Sequence, residues 1–356
     1  MTRIVIIGNG WRADYFHRIA RELPEEFRIG SVITRSPDRA AEVTARWGVP
    51  ATTDWQEGLC VPHDYVILCV NRVVTAGFLQ RLFELGEAVL CETPPGYSAA
   101  EFRAIWNSSR AHRARVQVCE QYQFWPLYSS CQEVIRRGLL GEVSNVTLSA
   151  VHGYHAISLF RRFLGAGFSD CRISGKRYRF DVTYTMGRDG YDESGRRISA
   201  DRDMVSLDFA NGTTAFLDFS DEQYFSPIRT RRMNIQGVRG EINDLTVCYL
   251  NQDNRPVMLP FTRLDDGRNN IQGWSHQGMM LGSDFLYRTP FPGAKLNDDE
   301  LAVATAMRRM KEYVDGGPEF YSLADGLWDA YLACKMDEAV NHPGTVIEAV
   351  KCPPEK

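Results

Sequence analysis

The sequence predicts an α/β chain. A doubly wound parallel sheet is expected over residues 1–120, then an α+β domain over 121–356 with a mostly antiparallel open sheet. Three observations lead there. The apolar run Ile4–Ile7 enters a glycine turn, Gly8-Asn9-Gly10-Trp11-Arg12-Ala13. Up to about residue 120, apolar strands alternate with helical segments at βαβ spacing. Beyond about residue 121, stretches of alternating apolar and polar residues are parted by Asn-Gly, Ser-Asp and Arg-Gly turns, the pattern of half-buried antiparallel strands.

The elements follow in order. Gly8-x-Gly10-x-x-Ala13 suits a strand–turn–helix that cradles a dinucleotide pyrophosphate. Gly8 permits the tight turn, Gly10 lets phosphates approach the backbone, and Ala13 lets the helix pack closely. That helix, Asp14 to Glu22, would aim free N–H groups at the anion and stops before Pro24. A strand at Phe27–Thr34 precedes a helix at Ser36–Trp47, with Ser36 as N-cap and Pro37 at the first helical position. Strands at Tyr65–Val70, Ala88–Cys91 and Arg115–Cys119 flank helices at Thr75–Leu85 and Ser98–Ser109. The second domain is read as a helix at Trp125–Gly138, a strand at Val143–Val151 and a helix around His155–Leu164. Strands follow at Val205–Phe209, Thr213–Phe219, Arg232–Val238 and Leu245–Leu250. Asn297 caps a helix through Tyr313, and Leu323–Ala339 is the last helix.

Composition narrows the function. A net charge of −4 and a pI near 6.0, with no basic block, argue against nucleic acid as a partner. No apolar run reaches membrane-spanning length, and the first residues read as a core strand rather than a signal peptide. The nine cysteines are scattered without a CxxC pair, so reduced core thiols in a cytoplasmic protein are expected, with no metal site.

Several motifs together resemble the Gfo/Idh/MocA oxidoreductases. They are the opening glycine turn, Val89-Leu90-Cys91-Glu92-Thr93-Pro94, Gln121-Tyr122-Gln123-Phe124-Trp125-Pro126, Gly141-Glu142-Val143, Gly153-Tyr154-His155, and Gln236-Gly237-Val238-Arg239-Gly240-Glu241. The resemblance implies a Rossmann domain followed by an open-sheet domain, a nicotinamide cofactor and a homo-oligomer packed through the carboxyl-terminal sheet. It also exposes departures. Thr93 stands where the family carries the lysine of Glu-Lys-Pro, and Val151 stands where an aspartate precedes the histidine. Of that triad only His155 remains.

For the cofactor, Ile33-Thr34-Arg35-Ser36 ends the second strand without the acidic residue of NAD-selective sites. Two hydroxyls and a guanidinium there suit a 2′-phosphate, so NADP(H) is expected over NAD(H). Ser36 can also serve as a helix cap and Arg35 as a solvated residue. Cofactor contacts are expected from Gly8, Asn9, Gly10, Trp11, Arg12, Thr34, Arg35, Ser36, Val70, Asn71, Glu92, Thr93 and Gln121. His155 is the first candidate proton donor, because imidazole titrates near cellular pH, and Tyr122 is the second. Gln123, Trp125, His152 and Tyr154 are read as substrate contacts, and Asn269–Gln277 as a lid, a subunit contact or a solvated loop.

The leading function is hydride transfer to or from a small carbonyl, imine or sugar-derived substrate. The alternatives are a nicotinamide-dependent glycosidase or epimerase using transient oxidation, and an inactive nucleotide-sensing protein. The alternating Val205, Leu207, Phe209, Phe216 and Phe219 are expected to form an apolar sheet face that a second copy covers.

Overall fold

The structure is a computed structural model that describes residues 1–267 and 273–350. The chain forms two compact units. The first combines Met1–Pro126, Leu264–Gly278 and Arg288–Tyr331; the second combines Leu127–Arg263, Met279–Tyr287 and the remainder from Leu332. The expected break near residue 120 thus marks only the first of several passages between units, because the chain returns to the first unit twice.

The first unit runs β1 (Thr2–Ile7), α1 (Ala13–Glu22), β2 (Phe27–Ile33), α2 (Pro37–Trp47), β3 (Ala51–Thr52), α3 (Trp55–Leu59), β4 (Tyr65–Leu68), α4 (Arg72–Glu84), β5 (Val89–Cys91), α5 (Ala99–Ala111) and β6 (Val116–Val118). All strands are parallel, in the order β3-β2-β1-β4-β5-β6. Ile4, Val5 and Ile6 are wholly buried, as a central parallel strand covered on both faces requires. The strand order reverses beside β1, which opens a crevice at the carboxyl ends of β1 and β4.

Two local readings change. Helix α4 begins at Arg72 rather than Thr75, because the Asn71 side chain accepts from the Val73 N–H at 3.0 Å and caps it. The pair β3 and α3 was not foreseen; at two and five residues they are too short to show a period.

The chain continues with α6 (Pro126–Arg136), β7 (Val143–Ser149), α7 (Gly153–Phe163), β8 (Cys171–Thr183), β9 (Met186–Gly187), β10 (Gly190–Tyr191), β11 (Arg197–Phe209), β12 (Thr214–Ser220), β13 (Arg232–Gly237), β14 (Gly240–Asn243), β15 (Thr246–Leu250), β16 (Pro256–Asp266), β17 (Ser275–Leu281) and β18 (Asp284–Arg288). Helices α8 (Asp298–Val314) and α9 (Leu323–Asn341) and strand β19 (Ile347–Ala349) end it. Helix α8 joins the first unit. Its Leu301, Val303 and Met307 share a buried core with Ile4, Ile6 and Phe16, and its Met307 carbonyl accepts from the buried Tyr65 hydroxyl at 2.9 Å.

The large sheet has the order β18-β17-β16-β15-β14-β13-β7-β12-β11-β8-β19 and is mostly antiparallel; β12 and β7 pair in parallel. Strands β8 and β11 pair along thirteen residues each. The apolar face expected to need a partner is covered within the unit. Val205, Leu207, Phe209 and Phe219 are each at most 4% exposed, and helix α7 lies against β7 and β12. Phe216 belongs to the opposite face, with exposed Met204 and Phe180 among the Arg202–Asp218 and Arg232–Asp218 ion pairs. The alternation was read correctly, but assigning Phe216 to the buried side was a one-residue error of parity.

Candidate functional site

The glycine turn is built from two unlike glycines. Gly8 has φ +116°, and a Cβ there would sit 1.9 Å from the Cys69 carbonyl oxygen, so β1 can approach the end of β4 only with glycine. At Gly10 a Cβ would meet nothing within 4 Å; the backbone faces open space at the start of α1. A cradle open above Gly10 at a helix N-terminus is what a pyrophosphate needs, and the residues present fit that group. Ala13, 1% exposed, closes the turn against the sheet.

Beside the turn lies a charge cluster. Arg12 Nε donates to Glu92 Oε1 and Arg12 Nη1 to Asp299 Oδ2, both at 2.9 Å, and its guanidinium lies 4.7 Å from the centre of the Tyr15 ring. Asp299, at the N-terminus of α8, also accepts from Gln121 Nε2 at 3.2 Å and from Trp125 Nε1 at 3.0 Å. Burial opposes the charge of Asp299, yet Arg12, Trp125 and Gln121 outweigh it and hold its carboxyl below the usual carboxylate range. Burial likewise opposes the Arg12 charge, and Glu92 and Asp299 overcome it. Arg12 Nη2 and Gln121 Oε1 are buried without a hydrogen-bond partner among the described residues.

The other expected cofactor residues divide by what their polar atoms already do. The Thr34 hydroxyl donates to the Ser36 carbonyl at 3.1 Å, and Ser36 Oγ accepts from the Arg39 N–H. The Thr34 hydroxyl therefore spends its donor locally, Ser36 Oγ serves as the cap acceptor of α2, and Arg35 is exposed. Val70 packs close to Gly8, Asn71 caps α4, and Glu92 Oε2 accepts from the Thr93 N–H at 3.3 Å. Asn9 is half-buried and Trp11 is 53% exposed, edge-on to Tyr15.

Tyr122 is 6% exposed and stacks on Trp125, with ring centres 5.2 Å apart, in a single 3₁₀ turn after β6. Gln123 Nε2 donates to the Glu120 carbonyl at 3.1 Å and Trp125 spends its N–H on Asp299. These donors brace the turn. The thiols of Cys69, Cys91 and Cys119 are buried and form no disulfide, and burial pushes all three upward, which leaves them unreactive.

In the second unit, α7 presents a ring cluster. The His155 ring lies 4.8 Å from His152 and 5.4 Å from Tyr154, and the Tyr224 hydroxyl accepts from the His152 backbone N–H at 3.0 Å. His152 is exposed at its surface, and desolvation and the neighbouring His155 push it down to about 3. His155 is 9% exposed. Among the described residues no group of three or more His, Cys, Asp or Glu could hold a metal ion.

Of the stretch Asn269–Gln277, residues 269–272 lie outside the described residues. The part that follows is framework. Ser275 and His276 are buried at the start of β17, and His276 Nδ1 pairs with Asp265 at 2.7 Å. Sequence reasoning also missed Asp299 and Tyr224. Asp299 was visible only as one of several acidic residues in the first turn of α8, and Tyr224 closes a 3₁₀ turn of four residues that no periodicity marks.

Residues 2–160 match the profile of the family described as "Oxidoreductase family, NAD-binding Rossmann fold" (GFO_IDH_MocA). The chain is similar to inositol 2-dehydrogenase of Rhizobium meliloti (strain 1021), 24% identical over 149 residues, which are 42% of this chain and 45% of that one. The chain thus matches less than half the length of this relative. Among solved structures, levoglucosan dehydrogenase in complex with NADH and levoglucosan superposes with TM-score 0.71 at 16% identity, over 98% of this chain and 100% of that one. An oxidoreductase from Agrobacterium radiobacter in complex with NAD+, L-tartaric acid and magnesium gives TM-score 0.70 at 15% identity, covering 98% of each chain. No helix among the described residues is long and apolar enough to cross a membrane. The glycine turn, the strand order and these matches agree: residues 2–160 match the Gfo/Idh/MocA oxidoreductase family model and have its NAD-binding Rossmann fold.

Proposed function

We propose that the chain is a nicotinamide-dependent oxidoreductase that prefers NADP(H) and acts on a small carbonyl, imine or sugar-derived substrate. The observation that carries this reading is the open cradle above Gly10 at the point where the strand order reverses. A bound nicotinamide would supply or accept the hydride; the protein would bind, orient and manage the proton. Gly8, Asn9, Gly10 and Trp11 would hold the pyrophosphate, and Val70 and Asn71 would border the middle of the dinucleotide. Glu92, Thr93 and Gln121, at the ends of β5 and β6, would border its nicotinamide half. Arg35 would meet the 2′-phosphate, with Thr34 and Ser36 shaping its loop.

His155 or Tyr122 would donate the proton. His152, Tyr154, Gln123 and Trp125 would contact substrate, the last two with what remains of their surfaces. A polyol or sugar fits the amide and aromatic character of these groups, and the relatives named for inositol and levoglucosan point the same way. The reading places residues 1–120 in dinucleotide binding and 121–356 in substrate binding and assembly, in a cytoplasmic protein. It includes a homo-oligomer packed through the sheet face that carries Phe180, Met204 and Phe216.

Calorimetry with NADPH and NADH, followed by loss of nicotinamide absorbance against a panel of sugar-derived carbonyl compounds, tests it. Binding with turnover is expected. A chain that binds neither coenzyme sinks the reading.

A further inference from the structure

A nicotinamide ring carries a positive charge when oxidised and none when reduced. Any fixed charge near it must therefore favour one form. The cluster beside the glycine turn sets one cation, Arg12, against two carboxylates, Glu92 and Asp299, with side chains 12%, 14% and 19% exposed. Arg-paired carboxylates are ionised at neutral pH, so the three groups keep one net negative charge. The neighbouring Arg18–Glu300 pair at 2.6 Å adds none. Residue 93 is Thr, so no cation follows Glu92 to cancel the charge.

The position matters as much as the sign. Arg12 directly follows the pyrophosphate cradle, Glu92 ends β5 and Gln121, tied to Asp299, follows β6. A dinucleotide laid across the reversal of strand order carries its second half along β4, β5 and β6. In a partly buried site the field of the cluster is weakly screened.

We propose that the Arg12–Glu92–Asp299 cluster sets the redox preference of the site, holding the oxidised nicotinamide more tightly than the reduced one. This rests on the proposed nicotinamide binding and deepens it. A site that stabilises the cationic ring also makes the bound reduced cofactor a stronger hydride donor, which favours reduction of a carbonyl or imine substrate. Asp299 is a positioning residue here. It reaches the site from α8, holds Arg12, Gln121 and Trp125 at once, and contributes the excess charge.

The test is equilibrium binding of NAD+, NADH, NADP+ and NADPH to the unaltered chain, to Asp299→Asn and to Glu92→Gln. At an effective dielectric of about 20, a unit charge within about 10 Å alters the oxidised-to-reduced affinity ratio roughly tenfold. Each substitution is expected to shift the ratio toward the reduced form by about that factor. Both keep an oxygen acceptor for Arg12, and two variants protect the test against a folding failure in either. Equal weakening of both forms would mean that the cluster is only scaffold and would overturn the inference while leaving cofactor binding intact. Failure of the unaltered chain to bind any of the four would overturn the binding reading and this inference with it.

Discussion

The two units hold their candidate groups by different physics. In the first, the side chains beside the glycine turn are pinned by charge: Arg12 bridges Glu92 and Asp299, and Asp299 takes two further N–H donors. In the second, His152, Tyr154, His155 and Tyr224 are held by ring packing. A charge lattice fixes geometry and field but costs stability if one member is removed. A ring cluster fixes the same kind of geometry through shape and contact area. The proposed reading puts dinucleotide binding on the charge-pinned unit and the candidate proton donor His155 on the ring-packed one.

The sharpest way to break that division is His155→Ala. If His155 gives the proton, turnover should fall about 10²–10⁴-fold while coenzyme Kd stays within about twofold. Tyr122→Phe, measured in parallel, should then lose less than about tenfold; the reverse ranking would move the donor to the first unit. Next in size is Arg12→Met. Removing one partner of a buried ion cluster leaves two uncompensated carboxylates, so unfolding free energy in urea should drop by about 3–5 kcal/mol. A loss below about 1 kcal/mol would show that the lattice is not what pins the turn.

The sequence made the first unit readable because its logic is local. Gly8, Gly10 and Ala13 act within six residues of one another, Ser36 and Pro37 announce α2, and buried parallel strands are unbroken apolar runs. What was missed is non-local. Asp299 meets Arg12 across 287 positions and carries the same acidic signature as any helix start. In the second unit alternation marked β12 and β13, but the long β8 has few buried positions to reveal a period. The face assignment of Phe216 failed because residues 216 and 219, an odd number of positions apart, cannot share a face of one unbroken strand. Donors such as Trp125 Nε1 and Gln123 Nε2 looked available in the sequence and are used internally in the fold.

A smaller effect tests the coenzyme. Arg35→Asp should raise the Kd for NADP(H) tenfold or more, about 1.4 kcal/mol, while sparing NAD(H). The Thr34 hydroxyl already donates within its loop and Ser36 Oγ caps α2, so the guanidinium, with its fixed charge, should carry most of the discrimination. Unchanged relative affinities would remove the NADP preference and leave the rest of the comparison standing.

A last effect concerns pH, and it lies in the first unit away from the charge lattice. His17 is 4% exposed and stacks on Trp47 at 4.8 Å; burial, then Arg46 and Arg21, push it down to about 4. Its ordinary value is near 6.5, so between those limits the unfolded chain binds more protons than the folded one. The stabilisation is complete above about pH 6.5 and is lost as pH falls toward 4, about 3 kcal/mol in all. His17→Phe keeps the stacked ring and removes the titration, so urea unfolding between pH 4 and 7 should lose that part of its acid slope. An unaltered slope would mean that acid sensitivity arises elsewhere and that the aromatic pair of α1 and α2 contributes through packing rather than through titration.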